Sequence, residues 1–476
     1  MRSIALALTA VPILVLPLLS SAPAAAQGPV PADRIDSLFE DLDRTDSPGC
    51  AAGIVREGAL AFADGWGSAN LDHELPITPR TVFYMGSVSK QFTAAAVALA
   101  ARQGHLSLDD DIRDHLPELP DYGAPITVRH LVHHTSGLRD YLTLQLLADS
   151  PPGASDEEIL ELLARQKGLN FPPGDRYRYS NSGYFLLSEI LERATGRTLR
   201  EFARQELLDP VGMRHSRFHD DADEVVRYRA TAYSPSGAGF RMDHWWRFAQ
   251  VGSGGLYSSV EDMALWAAAL DEDRVGPPGF AASLLERGIL NGGDTLDYAF
   301  GVSVGELRGL RTISHGGALA GFRTFVGRFP DEGVAVIVLC NRSDGDPDGR
   351  ARAVAELVLG DRLAPEASEN AAEETPPAEP AAGATAPPDR TRLERFQGRY
   401  HSDELEADHV VRLGEDGLVL EGTAVGPVPL RSTAADTFRG GPATIRFRVD
   451  DGRVTGYVLD AGRADGLVFE RVDDGG

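Results

Sequence analysis

The chain has 476 residues, a formal charge of −25, a pI near 4.9 and two cysteines. That charge argues against nucleic acid and anionic membrane surfaces as partners, since both need clustered positive charge. Two cysteines exclude a disulfide framework and a cysteine-based zinc site, leaving room for one disulfide in an oxidising compartment.

Residues 1–26 read as a signal peptide: Arg2 supplies the positive end, Ile4 to Leu19 the apolar stretch, and Ala24-Ala25-Ala26 the small residues before a cut at Gln27. The expectation is a periplasmic or secreted protein without a membrane anchor after cleavage: no cysteine follows for a lipid, and no later run approaches the ~20 apolar residues of a membrane span.

A first domain is expected over 27–360. It opens with a helix over Ala32 to Arg44 and a hairpin over Cys50 to Ala63 turning at Glu57-Gly58. Next comes Ser87-Val88-Ser89-Lys90, leading into the alanine-rich run Gln91 to Ala101 that Gly104 closes, a buried helix beginning near Ser87. Residues three apart share a helix face, so Ser87 and Lys90 point into one space. The chain writes its cations as 44 arginines and only two lysines. An arginine never gives up its proton, whereas a lysine in a dry pocket does and can serve a serine nucleophile as base.

Helical segments follow at Asp156 to Gln166, Ser182 to Ala194, Leu199 to Glu206 and Val260 to Leu270, the last with the form of a capping box at Ser259 to Asp262. Tyr179-Ser180-Asn181 opens the second of these; a phenol beside a lysine can relay protons, and the Asn181 amide can hold a substrate carbonyl or the lysine. Strands are expected at Arg311 to His315, Phe322 to Phe329 and, fully buried, Val334 to Cys340. His315-Gly316-Gly317-Ala318 puts two glycines into a strand, which suits close approach of a substrate along the edge, with the Ala318 and Ser87 N–H groups as an oxyanion hole. The fold expected is α/β (α+β), an antiparallel sheet from both chain ends with a helical lobe between.

Residues 361–390 are poor in large apolar side chains and read as a disordered linker. Over 391–476, short alternating runs between Gly and Asp turns predict a small β-barrel or meander, with no chemistry visible in it.

In order and spacing, Ser87-Val88-Ser89-Lys90, Tyr179-Ser180-Asn181 and His315-Gly316-Gly317 resemble the three signatures of the serine β-lactamase and penicillin-binding protein superfamily, in its class C-like group of D-aminopeptidases, DD-peptidases and family VIII esterases. Leu131 to Leu138 and Gly254 to Ser258 look like loop segments of that family. The resemblance implies Ser87 as acylated nucleophile, Lys90 and Tyr179 as proton-handling groups, Asn181, His315 and Gly317 as substrate-positioning residues and Ala318 as oxyanion donor. It implies no metal or cofactor. The small β domain is similar to the lipocalin-like extensions of D-aminopeptidase relatives. The family's first and last strands lie side by side and antiparallel, which would bring Cys50 and Cys340 together for a disulfide or as two buried thiols.

His315 stands where β-lactamases proper carry the lysine that grips a carboxylate. This shifts the expected activity toward amide, peptide or ester bonds of D-amino acids; protonation of His315 at lower pH would restore the cation. β-Lactam hydrolysis and a non-catalytic peptidoglycan-binding scaffold remain the alternatives. A zinc site on His130, His133 and His134 lacks the glutamate of H-E-x-x-H, and no G-x-S-x-G marks an α/β-hydrolase. Oligomeric state and scissile bond are not encoded in these motifs.

Overall fold

The structure is a computed structural model that describes residues 30–149, 154–243, 248–365 and 390–472. The expected signal peptide and most of the expected linker lie outside the described residues.

The first domain is built on a six-stranded antiparallel sheet. Its strands are β1 (Cys50–Arg56), β2 (Ala59–Trp66), β3 (Ser303–Leu307), β4 (Leu310–Leu319), β5 (Phe322–Phe329) and β6 (Val334–Cys340), in the spatial order β3-β4-β5-β6-β1-β2. The β1–β2 hairpin turns at Glu57 and Gly58, both with positive φ, as a two-residue turn matching strand twist requires. Every residue of β6 is buried, which is why its run of Val, Ile and Leu shows no alternation. One sheet face packs on the helix Pro347–Leu359 and on Ile35, Phe39 and Leu42; the other receives the Val260–Asp271 helix. β1 and β6 pair with Cys50 opposite Cys340, and the two cysteines form a disulfide with Cα atoms 4.0 Å apart.

Several expected boundaries shift for visible reasons. The N-terminal helix ends at Ser37 and gives way to a tight turn over Glu40–Leu42, because the Arg350 guanidinium takes the Leu38 carbonyl that a continuing helix would use. At the Val260–Asp271 helix only half of the capping box forms. Ser259 Oγ accepts from Asp262 N–H, whereas the Asp262 carboxylate accepts from His215 N–H and Ser216 Oγ instead. Order also persists past Asp361: Leu363 is buried beside the sheet, and Ala364 exchanges hydrogen bonds with Arg308.

The C-terminal strands β7 (Gly398–Ser402), β8 (Ala407–Leu413), β9 (Leu418–Glu421), β10 (Val428–Ala434), β11 (Thr437–Gly440), β12 (Ala443–Asp450), β13 (Arg453–Ala461) and β14 (Ala464–Val472) form a closed up-and-down barrel. Closure comes from β7 pairing with β14. Phe396, Tyr400, Phe438, Phe447, Tyr457 and Phe469 fill the interior in mutual ring contact.

The barrel is docked on the helical lobe. Arg139 and Glu404 form a buried ion pair at 2.6 Å, with Arg139 also donating to the Asp465 and Gly466 carbonyls. His409 Nε2 lies 2.8 Å from the Leu147 carbonyl, and Ala424 N–H donates to Leu146. The β13–β14 turn at Gly462-Arg463 reaches furthest in: Arg463 O accepts from Asp140 N–H, and Arg178 donates to Gly462 O and pairs with Asp465.

Candidate active site

Ser87 sits in a short turn, Gly86–Ser89, that runs directly into the Lys90–Arg102 helix. Gly86 has φ +53°, and a Cβ there would lie 2.6 Å from the Ala318 nitrogen. Only glycine permits this approach, which sets the Ser87 turn against β4. Gly317 serves the same junction from the other side, since its Cβ would meet the Met85 carbonyl at 2.1 Å. Its absent side chain therefore admits the nucleophile's own turn rather than a substrate, as the sequence suggested. The substrate edge nonetheless exists: β3 pairs with β4 only as far as Ser314, so residues 315–319 pair with β5 alone.

Lys90 is fully buried. Its Nζ lies 3.2 Å from Ser87 Oγ, 2.9 Å from Asn181 Oδ1 and 2.6 Å from the Ser253 carbonyl. Burial drives the amine well below the usual lysine range; the nearby Asp140 carboxylate opposes the shift and Arg463 adds to it. A neutral amine suits the same three contacts, donating two N–H groups to Asn181 and Ser253 and turning its lone pair toward the Ser87 hydroxyl. Asn181 thus holds the lysine, one of the two uses open to it. Its own N–H donates to Asp140.

Tyr179 lies beside this pair, with Lys90 Nζ 4.8 Å from its ring centre. Burial raises the phenol well above its ordinary range, and the Ser87 hydroxyl counters part of the rise. Among the described residues the phenol oxygen makes no well-formed hydrogen bond.

His315 is fixed as a neutral imidazole. Its Nδ1 lies 2.6 Å from the Gly316 carbonyl, so it carries the proton, and its Nε2, 3.1 Å from Tyr298 Oη, accepts from that phenol. Desolvation and the Lys90 charge push it down to about 4. Arg463, in the barrel from which no chemistry was read, lines the same cavity of about 580 Å³ as Ser87, Tyr179, Asn181, His315 and Ala318. Its guanidinium is 5.5 Å from the Tyr179 ring centre and 3.5 Å from Asp140, with 39% of the side chain exposed.

All seven sequence-predicted residues therefore meet at one cavity or directly beneath it. Asp140, Ser253, Tyr298 and Arg463 were not foreseen. Ser253 adjoins the Gly254 to Ser258 loop and could have been suspected from it; Arg463 sits 376 positions from Ser87 with no motif around it (463 − 87). The three histidines of the rejected zinc reading are engaged otherwise: His130 Nδ1 accepts from Thr127 N–H, His133 packs edge-on against Phe300, and His134 packs among tyrosines. Among the described residues no cluster of metal-ligating side chains occurs.

A helix-started serine, a buried lysine beneath it and a tyrosine over both are the parts that acyl transfer through a serine needs. Residues 35–360 match the Beta-lactamase family, and the chain belongs to it. A D-aminopeptidase of Gluconobacter oxydans is 32% identical over 334 residues, covering 68% of this chain and 61% of its own length. This chain thus spans less than two thirds of that relative. Among solved structures, the octameric penicillin-binding protein homologue from Pyrococcus abyssi aligns over 93% of this chain and 98% of its own, at 23% identity and a TM-score of 0.63. SurE, crystallised with D-Leu, aligns over 92% and 99% at 26% identity and a TM-score of 0.56.

Proposed function

We propose that the protein hydrolyses amide or ester bonds of D-amino-acid compounds through a Ser87 acyl-enzyme, and favours substrates that present a carboxylate to Arg463. In this reading Lys90 takes the Ser87 proton, Tyr179 passes a proton to the leaving group and later orients the attacking water, and the Ser87 and Ala318 N–H groups receive the oxyanion. Asn181 keeps Lys90 aimed, while His315 and Gly317 shape the edge on which substrate lies.

The observation that carries the reading is the buried Lys90 amine 3.2 Å from Ser87 Oγ. A pocket that only bound ligand would gain nothing from an amine kept below its ordinary range, which weighs against a non-catalytic scaffold. The names of the relatives support D-configuration. The substrate carboxylate is supported by Arg463, the cation in a cleft whose histidine is held neutral, because a guanidinium pairs with carboxylate through two parallel N–H bonds. Export to the periplasm or medium is supported by the composition of residues 1–26 and by the Cys50–Cys340 disulfide.

A panel of D-Ala-D-Ala peptides, D-amino-acid amides, p-nitrophenyl esters and nitrocefin tests the substrate class. The expected result is turnover of the peptides, with Arg463→Ala raising their KM about tenfold or more and leaving neutral esters within twofold. Preference for nitrocefin, or equal effects of Arg463→Ala on both classes, would overturn it.

A further inference from the structure

His134 is not among the groups that touch Ser87 or Lys90, yet it holds both flanks of Tyr179. Its carbonyl accepts the Arg178 N–H at 2.9 Å, and its Nδ1 accepts the Ser180 N–H at 3.1 Å. Its ring lies 4.3 Å from the Tyr179 ring, centre to centre, and is bounded by Tyr298 at 4.7 Å and Tyr184 at 5.0 Å. The residue is 1% exposed and has φ +58°, a left-handed conformation uncommon for anything but glycine, asparagine, aspartate and histidine. The N–H groups of the residues before and after Tyr179 are thus fixed by the backbone and side chain of one other residue, and that backbone is itself in a restrained state.

We propose that His134 is a positioning residue that sets the place of the Tyr179 phenol by clamping the N–H groups of the residues on either side of it, Arg178 and Ser180. This rests on the reading of Tyr179 as proton relay. The clamp requires a neutral imidazole with its proton on Nε2, since Nδ1 accepts. Burial holds His134 neutral, and the Arg463 charge also opposes its protonation. Among the described residues the Nε2–H has no hydrogen-bond partner, and the ring is held through Nδ1 and its aromatic contacts. A residue in this place must combine tolerance of left-handed φ, an acceptor one ring-bond from Cγ, and a flat face for Tyr179. Asparagine keeps the first two and histidine supplies all three.

The test is a double-mutant cycle on the full chain with p-nitrophenyl butyrate as probe. His134→Leu should lower kcat about 10²-fold with KM changed less than twofold, the loss expected from about 1 Å of misplacement. His134→Asn should recover about tenfold of that. In a Tyr179→Phe background, either His134 substitution should cost less than threefold more, because its effect runs through the missing hydroxyl. Full multiplicative loss in that background overturns the positioning role. Unchanged activity of Tyr179→Phe alone overturns instead the relay reading. If His134→Leu does not fold, as judged by circular dichroism and thermal unfolding, the cycle is completed with His134→Asn, whose expected loss of about tenfold must likewise vanish without the Tyr179 hydroxyl.

Discussion

Two buried histidines, one in each domain, show how differently the cleft and the barrel are finished. His409, in the barrel, has both ring nitrogens engaged: Nδ1 lies 2.7 Å from Tyr457 Oη and Nε2 2.8 Å from the Leu147 carbonyl, while the ring stacks on Phe469. Around it the interior is closed by aromatic rings. His134, at the cleft, has one nitrogen engaged and, among the described residues, one without a hydrogen-bond partner, and the neighbouring Tyr179 hydroxyl makes no well-formed hydrogen bond. Buried polar groups left without partners carry an energetic penalty wherever they occur, at Ser402 Oγ in the barrel as at the cleft. The barrel's interior is filled by packed rings, and its contribution to the cleft comes from one turn at its rim.

The contrast is broken most severely at the cleft. Lys90→Arg places a permanent cation where the neutral amine stands and removes the ability to accept a proton, and should lower kcat/KM by about 10³-fold or more; Ser87→Ala should do the same with unfolding temperature little changed. Retention of more than a few per cent of the rate by the arginine variant would leave the lysine only an electrostatic role.

Docking comes next. Arg139→Ala leaves Glu404 buried beside the Lys167 N–H without its cation, which should destabilise the protein by about 3–5 kcal/mol. Because the same arginine fixes the Asp465 and Gly466 carbonyls, KM for carboxylate-bearing substrates should also rise, joining the two regions in one variant. Denaturant unfolding and steady-state kinetics measure both.

A smaller effect is expected inside the barrel. Tyr457→Phe removes the partner of His409 Nδ1 and should cost about 1–3 kcal/mol while leaving kcat and KM unchanged. A change in either constant would mean that the barrel interior communicates with the cleft.

The smallest effects are in pH dependence. Lys90 must be neutral to act, so activity should fall as pH drops through its folded pKa, which lies below the ordinary lysine value; Arg463→Gln removes a cation that lowers that pKa and should move this acid limb to higher pH. KM for carboxylate substrates should stay flat between pH 5.5 and 8, about a unit and more above the value of about 4 for His315, because the arginine keeps its charge throughout. Improvement of KM as pH falls would return the recognition role to His315. Stability carries its own term: His133, held neutral down to about 4 against an ordinary 6.5, is protonated first in the unfolded chain, so its contribution is complete above 6.5 and is lost as pH falls toward 4, at about 1.4 kcal/mol per pH unit. Above pH 7 the stability difference between His133→Asn and the parent should no longer vary with pH, as pH-resolved unfolding of the two would record.

Much of this protein was legible in its residue order. Alanine after Lys90 specified a buried helix, alternation after residue 391 a barrel, and the scarcity of lysine marked the amine beside Ser87, because each of these is a local choice of residue type with a local physical consequence. Strand pairing across nearly the whole first domain, which joins Cys50 to Cys340, followed from the family resemblance. What the chain order could not disclose were contacts made by residues of ordinary type at great separation. Gly317 was read as room for substrate, but in the fold the room is taken by the Met85 carbonyl. His315 was read as a titrating cation until Tyr298, 17 positions away, was found to occupy its Nε2. Arg463 is one of 44 arginines, and nothing in its neighbours distinguishes it; only the docking of the barrel brings its charge over Tyr179. Tertiary structure decided these points because electrostatics and close approach depend on distance in space, to which sequence separation sets no bound.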